Sequence, residues 1–350
     1  MMAGSPLTER IGCWLRERWR AEVAMNGVMS HLSRMTWLDL CNRHQRIIYD
    51  PVSGGRICDW TGSSLLTAAR VFPRVGARLL EKCLAEWPMQ LVDAAPAWPR
   101  APAPRVSFIL PVGGSGDRIP HFHLSAASLL AQIDCPCEII VVECSVKACY
   151  GPAVPKGCIY EHISADPQVE GYNKSAAMNV GVQLARADVV VLLDADMIIP
   201  ARLAAWLAER FERNSNLAAM RFARLIFNFD EADSRAIDPS GPLVVPEGIQ
   251  FVNQNTPMPL AIRKSAYERI GGHDESFVGW GGEDVEFLSR LQTLSCSEGG
   301  RVPIVHVWHP FAPQKANGHR NLNRLNRALC LAPEVRIARL RNSLCPAQLP

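Results

Sequence analysis

The chain predicts an α/β fold, a doubly wound and mostly parallel sheet with helices on both faces. Beyond Arg105, strand-like and helix-like runs alternate. The unbroken aliphatic run Val189-Val190-Val191-Leu192-Leu193 reads as a buried strand, and it ends directly in Asp194-Ala195-Asp196. In sheets of this kind ligands sit at the carboxyl ends of the strands. With 350 residues, 48% hydrophobic and 20% charged, the chain has material for roughly two globular domains. A net charge of +3 makes no case for nucleic acid.

Taken in order, residues 1–93 read as a helical region of unknown role. Ile11, Trp14, Leu15, Trp19 and Val23 form one apolar stripe, and Arg10, Arg16, Arg18 and Arg20 interrupt any leader-like apolar core. That helix either packs on its own domain or makes peripheral contact with an anionic membrane. No run reaches the ~18 apolar residues of a spanning helix, so a cytoplasmic protein is expected. A second helical pattern covers 65–87. Pro96, Pro99, Pro102 and Pro104 make 94–105 a stiff linker.

The α/β domain then occupies 106–315. Its strands are expected at 106–112, 138–144, 158–163, 188–194 and 217–226, and its helices at 124–133, 173–187 and 201–213. A partly helical tail, 316–350, closes the chain. The twelve cysteines read as free thiols. Their tightest group, Cys135, Cys137, Cys144, Cys149 and Cys158, lacks the paired C-x-x-C spacing of a zinc site.

Four motifs carry chemistry. Asp194 and Asp196 stand one residue apart at a strand end, where the two-residue period puts both carboxylates on the same side, as a divalent-cation site requires, or they are a loop or helix-capping pair. Lys174, in Gly171-Tyr172-Asn173-Lys174 at a helix start, is either a phosphate contact or a solvated surface lysine. His306 and His309 follow the apolar run 302–305 and could complete a metal shell, or be structural. In Gly279-Trp280-Gly281-Gly282-Glu283-Asp284 the glycines permit close approach of backbone to ligand. The Trp offers a flat face to a sugar ring, and the two acids stand before an apolar-periodic run. Capping of the following helix explains those acids equally well.

The order and spacing of these blocks resemble the nucleotide-sugar glycosyltransferases of GT-A fold. The closest likeness is to the β-1,4-galactosyltransferase and bacterial galactosyltransferase-related group, over about residues 106–310. Tyr172-Asn173-Lys174 through Asn179-Val180-Gly181 is similar to that family's Phe-Asn-Arg…Asn-Val-Gly block, with Lys for Arg. The Trp280–Asp284 stretch matches the family's Trp-Gly-Gly-Glu-Asp. The resemblance implies a Rossmann-like GT-A domain and a metal, Mn²⁺ or Mg²⁺, held by Asp196 and His306, with His309 as a further ligand. It implies donor contacts from Pro111, Arg118, Glu143, Asn173, Lys174 and Asp194. Asp284 is then the catalytic base, and Trp280, Gly281, Gly282 and Glu283 bind the acceptor. The first strand departs from the family: no arginine directly follows Pro111-Val112, and Arg118 is the basic residue nearby.

The expected activity is metal-dependent, inverting transfer of a sugar from a nucleotide-diphosphate donor, a UDP-sugar, to a hydroxyl of a carbohydrate or glycoconjugate. A sugar nucleotidyltransferase and a catalytically silent carbohydrate-binding protein of the same fold are the rivals. A helix N-terminus should lower the pKa of Asp284.

Overall fold

A computed structural model describes residues 47–50, 55–58, 68–70, 73–92 and 103–344, apart from 115, 168–171, 250, 254–255, 298–301 and 311–317. The apolar stripe at 11–23 and most of the proline segment lie outside the described residues. What is described of the first 93 residues is not only helical. Strands β1 (Ile47–Asp50) and β2 (Gly55–Cys58) form a hairpin, and β3 (Ala68–Arg70) falls inside the stretch read as helix. Helix α1 (Pro73–Glu86) begins only at its proline, which is favoured at a first helical position and disfavours helix in the residue before it.

The main sheet is built on β4 (Val106–Gly113), β5 (Cys137–Ser145), β6 (Ile159–Ser164) and β7 (Val189–Leu192). These four pair in parallel in the order β7-β4-β5-β6. On the far side of β7, β12 (Leu260–Arg263) runs antiparallel, followed by β9 (Ala219–Met220) and β13 (Cys296–Ser297). Helix α2 (Ile119–Leu130) leaves β4, α3 (Lys174–Leu184) leads into β7, and α4 (Leu203–Arg213) follows it. The α/β expectation of a largely parallel sheet flanked by helices is observed. Every residue of β5 is buried, as a strand covered on both faces should be.

The stretch 217–226, expected as one strand, is two. β9 stays in the main sheet, whereas β10 (Ala223–Asn228) joins a second sheet with β8 (Met197–Ile198), β11 (Phe251–Asn253) and β14 (Val302–His306). Its order is β3-β11-β10-β14-β8. The chain changes sheets at Arg221 and Phe222, where the Arg221 guanidinium donates to the Thr256 carbonyl at 2.9 Å. Elements before the linker and helices within the tail pack on those of 106–315. β3 pairs with β11, and Leu79, Leu80 and Cys83 of α1 share one core with Phe227, Val252 and Val305. Helix α5 (Glu231–Arg235) caps with Asp230, and α6 (Lys264–Arg269) continues β12. Helices α8 (Gly318–Leu329) and α9 (Pro333–Leu344), within the expected tail, pack on α7 (Glu283–Leu291).

Candidate active site

Three loops meet at the carboxyl end of β7. The strand stops at Leu192, opposite Ile109 of β4 and Leu260 of β12, so Asp194 and Asp196 lie beyond it in a loop and a tight turn. The expected strand alternation therefore does not orient them, and they face different partners. Asp194 Oδ1 is 2.7 Å from Lys174 Nζ. Asp196 Oδ2 faces His309 Nε2 at 3.4 Å, His306 Nε2 at 3.7 Å and Arg118 Nη1 at 3.6 Å.

Pairing across the second sheet explains that meeting. β8, which starts directly after Asp196, runs antiparallel to β14 and sets His306 opposite Met197. The Val307 amide then donates to the Asp196 carbonyl at 2.9 Å and fixes the turn. One ligand atom each from Asp196, His306 and His309 fall within 4.8 Å of one another. Burial works against an ionised Asp196, but the two histidines and Arg118 outweigh it and hold the carboxyl below its usual range. Burial lowers the pKa of His309, which leaves a neutral imidazole of the kind a metal takes. Asp196 Oδ1 is buried with no hydrogen-bond partner among the described residues. An orphaned carboxylate oxygen beside two imidazoles fits a divalent cation.

The second cluster is centred on Lys174. Its side chain is only 10% exposed, and Nζ reaches Asp284 Oδ2 at 3.1 Å as well as Asp194. Burial disfavours the charged amine, but Asp194, Asp284 and Glu283 more than offset it, and its pKa lies well above the usual value. It is neither a solvated lysine nor, in this arrangement, a group free to meet a phosphate.

Gly281 and Gly282 adopt φ of +96° and +91°, a region open to glycine, and turn the chain into α7. A Cβ on Gly282 would meet the Phe277 ring at 3.0 Å and the Asn321 carbonyl at 3.2 Å. Gly282 itself occupies the cap position without a side-chain bond. Glu283 and Asp284 are thus the first two helical residues rather than caps, and Glu283 Oε2 and Asp284 Oδ1 are buried without partners among the described residues. Burial first, and the neighbouring Asp284 second, push Glu283 up to about 7. Asp284 is also raised, by burial, although Lys174 pulls the other way. The expected lowering by the helix N-terminus is overridden. Trp280 is 45% exposed at the rim, its carbonyl held by Asn321 Nδ2 from α8 at 3.2 Å.

Two expected donor contacts have other duties. Glu143 is completely buried and accepts from Ser145 Oγ, Tyr160 Oη and the amides of Cys149 and Tyr150, at 2.6 to 2.9 Å. Burial opposes its charge, yet those donors outweigh it and bring the carboxyl down to about 2. It shapes the loop after β5 and has no oxygen left for a nucleoside. Asn173 caps α3 through the Ala176 amide and ties down the Glu275 carbonyl. Pro111 is buried in β4. Ile109, two residues earlier, bonds toward the Leu193 side, so Pro111 faces a strand that has already ended and forfeits no ladder bond.

One residue escaped the motif reading. His121 sits one turn beyond Arg118, and its ring lies edge-on to His309 with centroids 6.3 Å apart. The i, i+3 spacing from Arg118 puts it on the same helix face, a signal present in the sequence.

The fold is consistent with the GT-A class of glycosyltransferases, whose members take a nucleotide-sugar donor and an acceptor. The family model described as Glycosyl transferase family 2 matches residues 124–267, across α2, α3, the Asp194–Asp196 turn and β12. The model described as the N-terminal domain of galactosyltransferase matches residues 259–307, from β12 through Trp280–Asp284 to His306. The chain is therefore a GT-A glycosyltransferase with a galactosyltransferase-type block. No curated protein matches it.

Proposed function

We propose that the protein transfers a sugar, with inversion, from a UDP-linked donor to an acceptor hydroxyl, with Asp284 as the general base. The observation that carries this reading is the pair of buried oxygens on Glu283 and Asp284 with no partner among the described residues, close in sequence to the exposed Trp280. Asp284 Oδ1 accepts the proton of the acceptor hydroxyl. Glu283, with a pKa near 7, can both accept from and donate to a neighbouring sugar hydroxyl, and so orients it. Trp280 supplies an apolar face for the acceptor ring. Arg118, on the Asp196 side, meets the donor diphosphate. Asp196, His306 and His309 would hold the cation, and two imidazoles favour Mn²⁺ over Mg²⁺, which prefers oxygen. Such a cation neutralises charge that builds on the leaving diphosphate.

A screen of UDP-sugars for Mn²⁺-dependent UDP release tests this reading without an acceptor. Release of UDP from one of them, lost on chelation and restored by Mn²⁺, is expected. Accumulation of pyrophosphate in its place would identify a nucleotidyltransferase. No turnover of any UDP-sugar would leave a binding protein.

A further inference from the structure

We propose that Lys174 positions the base: it grips Asp284 by Oδ2, keeps that carboxylate charged, and leaves Oδ1 for the acceptor hydroxyl, while Arg118 alone meets the diphosphate. The inference rests on the transferase reading above, and it reverses the donor role that the helix-start lysine suggests.

The geometry argues against a phosphate ligand. Nζ stands between two carboxylates on different elements, at 2.7 Å from Asp194 and 3.1 Å from Asp284. To reach a diphosphate, the amine would have to leave at least one of these half-buried carboxylates without its counter-charge. Arg118 has no such constraint. It is 32% exposed, and Asp196, the carboxylate it faces among the described residues, is 3.6 Å away on the cation side of the cleft. Its planar fork also matches phosphate better than an ammonium does.

The charge balance argues for a positioning role. Asp194, Glu283 and Asp284 converge from two elements on one amine. Charge on Asp284 disfavours charge on the adjacent Glu283, so one of the pair ionises less readily. Lys174 decides which, because it bonds Asp284 and not Glu283. Glu283 is accordingly raised to about 7, while in Asp284, which burial also raises, Lys174 pulls the other way. The other titratable groups facing the cluster are Tyr172, at the entry to α3, and His273, behind α7. Burial pushes Tyr172 up and His273 down, so both are neutral near pH 7 and leave the choice to Lys174. His273 is fixed by stacking on Phe287 and by Tyr267 Oη at 2.8 Å from Nδ1.

The test uses the full chain and two readouts. UDP with Mn²⁺ is titrated by calorimetry into the wild type, Lys174→Met, Lys174→Arg and Arg118→Met. The pH profile of UDP-sugar turnover is recorded for the first three. Arg118→Met is expected to weaken UDP by about tenfold or more, the loss of a charge-assisted contact. Both Lys174 variants are expected to stay within about threefold of wild type. Without the cation Asp284 is harder to ionise, so the acid limb of turnover in Lys174→Met moves up by ~1–3 pH units. Lys174→Arg restores it. Should Lys174→Met fail to fold, Lys174→Arg still decides, since a lysine that touches phosphate would shift UDP affinity about tenfold on replacement. An unmoved acid limb, or a loss of UDP affinity equal to that of Arg118→Met, overturns the assignment. Failure of the wild type to bind UDP would instead overturn the donor reading on which it rests.

Discussion

Glu283 and Glu286 are one turn apart on α7, both buried, and differ in one respect. Glu286 is 1% exposed and fully engaged: Arg290 bonds it through Nε and Nη2, and Arg336 from α9 through Nη1 at 2.6 Å. Arg290 spends its remaining donors on the carbonyls of Ile270 and Gly272. Glu283, 8% exposed, keeps an oxygen with no partner among the described residues. A buried carboxylate with every lone pair used holds the fold together. One left with an orphaned oxygen carries a desolvation cost that only a ligand removes. The same contrast separates Glu143 from Asp196 on the other side of the cleft.

The contrast predicts which carboxylates matter for turnover and which for stability. Asp284→Asn has the largest effect: transfer should fall by ~10²–10⁴-fold, with UDP and Mn²⁺ binding near wild type by calorimetry. Near-normal turnover would remove Asp284 as the base. Glu286→Gln should do the reverse. It leaves Arg290 and Arg336 without their counter-charge and costs about 3–5 kcal/mol in denaturant unfolding, while the protein that remains folded still turns over. If stability is unchanged and turnover collapses, the division between the two glutamates is wrong. His309→Ala comes next, with Mn²⁺ affinity down by at least ~10-fold and unfolding in the absence of metal little altered. An unchanged Mn²⁺ titration would reduce His309 to a structural residue.

Local pattern carried the fold, and distance hid most of what it missed. The strands β4 to β7 and helices α3 and α4 were legible because unbroken aliphatic runs and helical periodicity lie within single segments. Ala68-Ala69-Arg70 holds no such pattern. It is a strand only because β11, some 180 residues on, pairs with it. Fixed spacings pointed to Asp284, Asp196, His306 and Trp280 in the sequence, and the fold brings Asp196 and His306 to 3.7 Å. The sequence could not reveal that Lys174 is buried, since the partner that buries it is 110 residues away. Nor could it reveal the bonds of Glu143: its four donors come from Ser145, Cys149, Tyr150 and Tyr160, positions that no motif records as a set.

The smallest predicted effects are also the sharpest in sign. Glu143 has its folded pKa pulled down from 4.5 to about 2. Between those values the unfolded chain binds more protons, so Glu143 adds stability above pH 4.5 and loses it as pH falls toward 2. Glu283 is shifted the other way, from 4.5 up to about 7. There the folded chain binds more protons, so stability declines as pH rises from 4.5 through 7. Glu143→Gln should therefore destabilise the ligand-free protein at neutral pH by about 1–3 kcal/mol, since an amide leaves some of its donors unmatched, and flatten the acid side of the stability curve. Glu283→Gln should stabilise it above pH 7 and leave the acid side alone. Urea unfolding at pH 3, 5, 7 and 8 separates the two. Parallel curves for both variants would mean that the two carboxylates differ less than their hydrogen bonds indicate, and opposite slopes would fix Glu143 in the architecture and Glu283 in the site.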